Sequence, residues 1–487
     1  MARQGTKERS GAAGAPSSFA GAAPIAGVSL VPDNRAAFAL RALSARAAAR
    51  TLDLQYYTWN TDVTGGLLAR EALRAADRGV RVRVLLDDLY VRGHDRELAA
   101  LDGHPSVEVR LYNPFRVRSW GALGAALDFL LASYRLNHRM HNKAWIADGR
   151  LFIGGGRNIA DEYFGAASQF NFRDLDLVIE GEAAVSQATA HFERYWDSSR
   201  VRPIGALWTP RRGAAHTGDL DALRRRLDAV AEGATGFDFL ERPPGAGEDL
   251  AELLAAGRVP VPAERVRVAA DPPRKSLGRR RAPGLLSDIR AAIAAAEREA
   301  LIVSPYFVPG RRGTRLLASL VRRGVRVVVV TNSLAATDVL AVHGGYARRR
   351  RRLLRAGVEL RELKRGGQEG TSLLGSGGHA SLHTKAFCVD GELAFVGSFN
   401  FDPRSAHLNT EMGVFVRHPE VAARLRDECA RLTDPARSWA VRLEDGGLVW
   451  SDGPAGQGRT WRGEPETGIG RRVLARVLGW LPIEPYL

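Results

Sequence analysis

Residues 139–160, RMHNKAWIADGRLFIGGGRNIA, and residues 381–402, SLHTKAFCVDGELAFVGSFNFD, contain the same polar residues at the same spacing. In each segment a histidine is followed by a lysine, an aspartate and an asparagine at identical intervals, with two small residues shortly before the asparagine. The recurring residues are His141, Lys143, Asp148 and Asn158 in the first segment and His383, Lys385, Asp390 and Asn400 in the second. A spacing that recurs unchanged over this length indicates a duplicated domain with a shared polar site.

Lysine is rare in this chain, which strengthens the case for that site. The chain has 70 basic residues, of which only five are lysine. Two of the five, Lys143 and Lys385, occupy the same place in the repeated motif. Because background composition would favour arginine there, we infer that both positions require the compact ammonium group of lysine.

The similarity between the two halves begins in front of the motif. Each half has an apolar strand, an amphipathic helix and a second apolar strand, at residues 52–57, 67–76 and 78–86 in the first half and 301–307, 316–321 and 323–330 in the second. This order is typical of parallel strands covered by helices. We therefore expect an α/β fold of two pseudo-twofold-related domains, each a mixed, largely parallel sheet flanked by helices.

Each motif is predicted to form a β-hairpin, because an Asp-Gly pair lies between two short apolar runs. Histidine and lysine, two residues apart on an extended strand, then point to the same face. The small residues and the asparagine follow the second strand, where the amide group can donate to an oxyanion. We expect Asp148 and Asp390 to cap their own hairpins, so they belong to the motif without a chemical step.

Two histidines and two lysines meeting at the interface of the halves suit the cleavage of a phosphodiester. The reaction needs a nucleophile and an acid, and one neutral and one protonated imidazole divide these tasks. The lysine and asparagine side chains would hold the nonbridging oxygens, so that the protein supplies the charge stabilisation without a metal or cofactor.

Each imidazole also needs a carboxylate that orients it. In the second half the candidate is Glu411, at the start of an apolar strand. In the first half the equivalent residue is Asp174 or Asp176, with Asp174 favoured.

The composition, with 45% hydrophobic and 25% charged residues, is that of a soluble globular protein. The two cysteines, Cys388 and Cys429, are too few for a disulfide framework and lack metal-ligand spacing. No signal peptide and no apolar run long enough to span a membrane is evident. The predicted organisation is a disordered tail (1–27), a first domain (28–205), a connector (206–280), a second domain (281–465) and a C-terminal amphipathic segment (466–487).

A net charge of +16 indicates an acidic partner, either nucleic acid or an anionic membrane surface. Residues 471–482 are basic and amphipathic and contain Trp480, so they form either an interfacial helix or a helix docked on its own domain. Residues 120–134 are a second candidate for lipid contact, and a core helix is favoured for them. We expect a cytoplasmic protein that is peripheral on the membrane.

The paired motifs resemble those of the phospholipase D superfamily. Three segments, RMHNKA (139–144), GGRNIADEYF (155–164) and GSFNFDPRS (397–405), are similar to bacterial cardiolipin synthases of the C type. The resemblance implies two phospholipase D-like domains and metal-independent phosphatidyl transfer through a phosphohistidine, without a cofactor. It further implies that His141 attacks and His383 protonates the leaving group. The first motif departs from the common Gly-Ser pair, because Gly156 stands where the second motif has Ser398.

The resemblance implies synthesis of cardiolipin from phosphatidylglycerol and a second phospholipid. The alternatives are a lipid hydrolase with the same site, a nuclease of the same superfamily, and a basic binding protein without activity. Expected partners are phospholipid substrates and the anionic inner face of the bacterial cell membrane, with an accessory protein left open and nucleic acid disfavoured. One chain with both motifs can complete a site alone.

Overall fold

The computed structural model describes residues 24–115, 134–208, 216–241, 249–277, 284–366, 379–453, 458–481 and 484. Most of the expected disordered tail and of the candidate lipid-contact segment 120–134 lies outside these ranges. Residues 25–27, which the sequence analysis assigned to the tail, form the start of the first strand instead. All three residues pair with the strand at 259–262, and Gly27 also pairs with the strand at 176–180 on the other side.

The strands of the first half and the connector are β1 (Ile25–Val31), β2 (Thr51–Tyr56), β3 (Arg81–Asp87), β4 (Val107–Tyr112), β5 (Ala144–Ala147), β6 (Leu151–Gly155), β7 (Phe170–Arg173), β8 (Asp176–Glu180), β9 (Val201–Pro203), β10 (Val259–Pro262) and β11 (Val266–Ala270). Those that follow are β12 (Glu299–Val303), β13 (Arg326–Asn332), β14 (Glu359–Leu363), β15 (His379–Leu382), β16 (Ala386–Val389), β17 (Leu393–Gly397), β18 (Met412–Arg417), β19 (Ser438–Glu444), β20 (Gly447–Ser451) and β21 (Thr460–Trp461).

The helices among the described residues are α1 (Asn34–Ala47), α2 (Val63–Asp77), α3 (Asp88–Val91), α4 (Asp95–Asp102), α5 (Asp161–Phe164), α6 (Glu182–Trp196), α7 (Ile204–Leu207), α8 (His216–Glu232), α9 (Ala234–Glu241), α10 (Leu250–Ala255), α11 (Leu285–Ala294), α12 (Gly310–Arg322), α13 (Leu340–Arg355), α14 (Pro403–His407), α15 (Pro419–Thr433) and α16 (Ile469–Trp480). None of these helices is long and apolar enough to cross a membrane.

The two halves contain sheets with equivalent strand orders. The first sheet runs β10-β1-β8-β6-β5-β2-β3-β4-β9, and the second runs β11-β18-β17-β16-β12-β13-β14-β19-β20-β21. The core order β8-β6-β5-β2-β3-β4 therefore recurs as β18-β17-β16-β12-β13-β14. The prediction of two duplicated α/β domains with mixed sheets is confirmed.

The parallel pairings are those of the predicted strand–helix–strand units. Strands β2, β3 and β4 are parallel to one another, and so are β12, β13 and β14. Their other neighbours, β5 and β9 in the first sheet and β16 and β19 in the second, are antiparallel to them. Antiparallel strand pairs therefore outnumber parallel pairs in both large sheets, so the sheets are mixed with a three-stranded parallel part.

The predicted connector is part of both sheets. Strand β10 pairs with β1 at the edge of the first sheet, and β11 pairs with β18 at the edge of the second. Helices α8 and α9 pack on α2, so they extend the first domain. Strand β10 contains two prolines, which are compatible with its position at the edge of the sheet.

A continuous apolar core joins the halves. It contains buried residues from both sheets, such as Leu177 and Ile179 of β8 and Val414 and Val416 of β18, together with the inner faces of α6 and α15. Burial of this shared surface holds the two motifs in a fixed relation, since burying apolar area is the main favourable term in folding.

The motif aspartates stabilise neighbouring chain rather than their own turns, which corrects the sequence expectation. The Asp148 carboxylate accepts hydrogen bonds from the backbone N–H groups of residues 49, 50 and 51 at 3.0, 2.7 and 2.9 Å. The Asp390 carboxylate accepts from those of residues 297, 298 and 299 at 3.0, 2.7 and 2.8 Å. Both carboxylates lie at the end of the hairpin far from the histidine, and each ties the turn to the start of the adjacent strand.

We expect Asp148→Asn to destabilise the protein without removing its activity. An amide cannot accept as many backbone donors, and the lost bonds should cost about 1–2 kcal/mol of the free energy of unfolding. Urea denaturation measures this change, and activity well below the melting temperature should stay within about twofold of wild type. A large loss of activity at unchanged stability would assign Asp148 a chemical step instead.

Candidate active site

Both motif hairpins deliver their histidine and lysine to the interface between the domains. Lys143 directly precedes β5, and Lys385 directly precedes β16. The two strands of each hairpin pair antiparallel as predicted. The turn residues Asp148 and Asp390 have φ angles of 53° and 55°, and a glycine with positive φ follows each. This tight turn keeps each hairpin short and rigid.

Each imidazole is oriented by a carboxylate from the opposite half. His141 Nδ1 lies 2.8 Å from Glu411 Oε2, and His383 Nδ1 lies 2.6 Å from Asp174 Oδ2. A carboxylate accepts the Nδ1 proton, so Nε2 is the ring nitrogen available to a substrate. The backbone repeats the exchange, because the N–H of His141 donates to Thr410 O and that of His383 donates to Arg173 O, both at 2.8 Å.

The structure distinguishes the two aspartates that the sequence left open. Asp176 forms buried salt bridges with Arg41 at 2.9 Å and Arg157 at 3.3 Å, inside the first domain. Asp174 contacts His383 and also accepts the N–H of Leu175 at 2.8 Å. Asp174 is therefore the carboxylate at the interface, and Asp176 is part of the core.

The motif lysines are buried beside the imidazoles. Lys143 Nζ donates to His141 O at 2.8 Å, and Lys385 Nζ donates to His383 O. Burial lowers the pKa of Lys143 to about 7 and that of Lys385 to about 8, although Glu411 and Asp174 act in the opposite direction on both. The mutual influence of these side chains shows that both halves contribute to one charged cluster.

Both imidazoles favour the neutral form. Burial, together with the ammonium groups of Lys143 and Lys385, lowers the pKa of His141 well below its usual value. Burial and Lys385 lower the pKa of His383 to about 4, although Asp174 opposes them. In the absence of an anion between them, each ring therefore has an unprotonated Nε2 at neutral pH.

The two carboxylates differ in environment. Burial raises the pKa of Glu411 to about 7 against the opposing charge of Lys143. Burial also opposes ionisation of Asp174, but His383 and Lys385 outweigh it and bring that pKa to about 2. Asp174 is therefore a firmly ionised partner, whereas Glu411 is close to its titration point near neutral pH.

The residues beside the two carboxylates also differ, because Ser398 contacts Glu411 whereas Gly156 adjoins Asp174. The Ser398 hydroxyl donates to Glu411 Oε2 at 2.5 Å. A Cβ atom at Gly156 would lie 2.2 Å from Asp174 Oδ1, so a serine cannot replace it without displacing the carboxylate. In the first half, Gly156 leaves room for Asp174, which contacts His383. In the second half, Ser398 donates to the longer side chain of Glu411, which contacts His141.

The motif asparagines lie at the site but differ in their bonding. Asn158 Nδ2 donates to the Tyr163 hydroxyl at 2.9 Å, and its Oδ1 accepts the N–H of Thr58 at 3.3 Å. Asn400 Oδ1 is buried without a hydrogen-bond donor among the described residues. A buried amide oxygen without a donor is costly, so this group is suited to a substrate hydroxyl or water.

Several residues of the site were missed by the sequence analysis. Ser405 Oγ donates to Glu411 Oε1 at 2.8 Å, and Asp271 Oδ2 accepts the N–H of Glu411 at 3.1 Å. Lys275 forms a 2.7 Å salt bridge with Asp271 and donates to Ser405 O at 2.8 Å. The scarcity of lysine was a signal that could have singled out Lys275.

Aromatic rings enclose both imidazoles. The Tyr57 ring contacts His141 edge-on at a centroid distance of 4.9 Å. Tyr163 and Phe172 contact His383 at 5.1 and 4.6 Å. These rings limit access of water to the sides of the imidazoles and leave the face between them for the substrate. No group of three or more His, Cys, Asp or Glu residues that could hold a metal is present in the described part of the chain.

Residues 44–196 and 289–433 match a family described as "Cardiolipin synthase, PLD-like domain". The chain belongs to this family. Its two matched segments contain strands β2 to β8 and β12 to β18, which include both motif hairpins, so the resemblance inferred from the motifs is confirmed. The family is one of phospholipase D-like enzymes, and the chain is of the phosphatidyltransferase type within it.

Two curated relatives support the same assignment. Cardiolipin synthase C of Escherichia coli K12 is 41% identical over 462 residues, which cover 92% of this chain and 93% of that protein. A cardiolipin synthase of Geobacillus kaustophilus HTA426 is 29% identical, and the match covers 76% of this chain and 58% of the relative.

A solved structure shares the fold. The crystal structure of phosphatidylserine synthase from Haemophilus influenzae Rd KW20 superposes with a TM-score of 0.62 at 14% identity, and covers 96% of this chain and 98% of that one. At this identity the similarity concerns the fold alone.

The two neighbouring aspartates provide a matched pair of variants. Asp174→Asn should lower activity about a hundredfold or more, because His383 loses its ionised partner, with little change in stability. Asp176→Asn should instead lower the free energy of unfolding by about 3 kcal/mol, because two buried guanidinium groups lose their counter-charge. Lipid turnover and urea denaturation, measured on both variants, test this assignment. Equal effects of the two substitutions on both measurements would contradict it.

Loss of the Ser398 hydroxyl should change the pH dependence of the reaction. The hydroxyl lowers the pKa of Glu411, so Ser398→Ala should raise that pKa further and leave less ionised Glu411 at neutral pH. We expect the acid limb of the kcat/KM profile to move to higher pH, with a larger loss of activity at pH 6 than at pH 9. Ser186→Ala, on the outer face of α6, is the control. An unchanged acid limb would show that Glu411 does not control it.

Proposed function

We propose that the chain makes cardiolipin by transferring a phosphatidyl group between phosphatidylglycerol and a second phospholipid, through a phosphohistidine intermediate. The observation that carries the proposal is the arrangement of two imidazoles, each held at Nδ1 by a carboxylate of the opposite half, with their Nε2 atoms left for chemistry. The identity to cardiolipin synthase C of E. coli supports the choice of substrates.

In the first step, His141 Nε2 attacks phosphorus and the bond to the head-group oxygen breaks. The departing alkoxide takes a proton from His383, and a phosphatidyl group remains on His141. Lys143 and Lys385 neutralise the nonbridging oxygens, whose charge increases in the transition state. Approach of the anionic phosphodiester favours the protonated form of His383, which its ionised partner Asp174 also stabilises.

The environments of the two histidines support this division of tasks. The nucleophile must be neutral, and burial together with the ammonium groups of Lys143 and Lys385 holds the pKa of His141 well below its usual value. The acid needs a stable counter-charge, and Asp174, with a pKa of about 2, is a better one than Glu411, with a pKa of about 7. His141 is therefore assigned as nucleophile and His383 as acid.

In the second step, an acceptor alcohol replaces the departed head group. Its proton passes to His383, its oxygen attacks phosphorus, and the bond to His141 Nε2 breaks. With a second phosphatidylglycerol as acceptor, the product is cardiolipin. With water as acceptor, the same steps hydrolyse the lipid, so hydrolysis is the alternative outcome of one site. The reaction requires contact with a membrane, which we place at the cytoplasmic face of the bacterial cell membrane.

The deciding assay uses the purified chain in EDTA with labelled phosphatidylglycerol, with and without phosphatidylethanolamine, and separately with DNA. Labelled cardiolipin should form, and His141→Asn should abolish it by at least about a thousandfold. His383→Asn should still label His141 from a phosphatidyl ester with a good leaving group, because such a substrate needs no acid. His94→Asn, at a partly exposed histidine outside the site, should match wild type. Cleavage of DNA without lipid turnover would refute the proposal in favour of a nuclease.

A further inference from the structure

The C-terminal helix α16 presents an apolar face to solvent. Four residues spaced as one helical stripe, Ile469, Val473, Val477 and Trp480, are 78%, 55%, 53% and 80% exposed. We call these four residues the apolar stripe. A tryptophan and three β-branched residues exposed together on one helix are unusual, because soluble proteins rarely expose contiguous apolar surface without a partner.

The opposite face of α16 packs against its own domain. The apolar stripe is therefore not the face that attaches the helix to the protein. Ala475 and Gly479 are buried against α13. A Cβ atom at Gly344 of α13 would lie 2.6 Å from Ala475 O and 2.8 Å from the Gly479 nitrogen, which shows how closely the two backbones approach. Arg348 also donates to Gly479 O at 2.9 Å. The helix is therefore docked on its own domain with the stripe facing outward.

The charge beside the stripe is basic. Arg472 and Arg476 are exposed and flank one edge of the stripe, and the sequence of α16 contains no acidic residue. Apolar residues with a tryptophan, flanked by arginine, are typical of helices that lie in the interface of an anionic bilayer. A protein partner of matching chemistry would need an acidic rim around an apolar groove, and the chain's net charge of +16 disfavours a second copy.

The helix is attached to the rim of the active site on the His383 side. Arg471 donates to Leu334 O at 2.9 Å and to Thr337 O at 2.7 Å. The next residue of this loop, Asp338, accepts the Tyr306 hydroxyl at 2.6 Å. At the start of the loop, Asn332 Nδ2 donates to Leu382 O, directly before His383, at 3.0 Å. Residues 332–338 thus connect Arg471, in the first turn of α16, with the residue that precedes His383.

We propose that the apolar stripe of α16 inserts into the head-group region of an anionic phospholipid bilayer and thereby holds the rim of the active site against the lipids. The occupant of the stripe is the lipid surface itself. This inference rests on the proposed function only in assuming that the substrates lie in that surface. Binding and chemistry are therefore separable.

The test is sedimentation of the full chain with vesicles of phosphatidylcholine alone or mixed with phosphatidylglycerol. The double variant Val477→Ser, Trp480→Ser should bind mixed vesicles at least about tenfold more weakly than wild type. Arg476→Gln should weaken binding to mixed vesicles about fivefold, since each basic residue near an anionic surface contributes about 1 kcal/mol, and should leave binding to phosphatidylcholine unchanged. Phe237→Ser, at an exposed aromatic residue on α9, is the matched control and should bind as wild type.

Activity separates this proposal from the proposed chemistry. On short-chain phosphatidylglycerol below its micelle concentration, the stripe variant should equal wild type, whereas His141→Asn should be inactive there but bind vesicles normally. If wild type turns over no lipid, the proposed function fails while the vesicle experiment still decides the role of the stripe. Unchanged vesicle binding by the folded stripe variant would overturn the proposal. A lipid-free dimer that this variant dissociates would also overturn it and assign the stripe to a second copy.

Discussion

The hydrogen bond between each motif imidazole and a carboxylate of the other half is the interaction on which the candidate site depends. A buried imidazole has two tautomers, and only a partner at Nδ1 leaves Nε2 in a defined state. Here both partners come from across the interface, at 2.8 and 2.6 Å. The backbone of each histidine is bonded across the same interface, and β7 pairs with β15 beside it. Neither half alone therefore contains the complete candidate site.

Burial gives the charged groups of the site their reactivity, because the low dielectric disfavours every isolated charge. Two ammonium groups and two carboxylates are balanced against one another within the cluster. The ammonium group of each motif lysine donates to the carbonyl oxygen of the histidine two residues earlier. The compact ammonium group of lysine suits this short contact. A phosphodiester bound between the imidazoles would add negative charge beside Lys143 and Lys385. This charge would raise the lowered pKa values of both lysines, so substrate binding and lysine protonation favour each other.

Local patterns predicted much of this structure, and tertiary pairing decided the remainder. The Asp-Gly turns, the strand–helix–strand units and the repeated motif follow from nearest-neighbour chemistry, so they were recognisable in the sequence. The exchange of Glu411 and Asp174 between halves depends on how the sheets face each other, which no local pattern encodes. Asp174 and Asp176 have the same parity along the chain, so alternation could not separate them; the buried Arg41 does. The backbone partners of Asp148, residues 49–51, are also distant in sequence, so no local pattern could predict them.

The connector has a consequence for how substrates reach the site. Its strands β10 and β11 belong to different sheets, yet only residues 263–265 separate them. So short a link, together with the shared core, keeps the two sheets packed against each other. In the proposed reaction, both phospholipids would therefore reach the two imidazoles along the seam between the domains. The proposed route of entry thus follows from the same packing that brings the two motifs together.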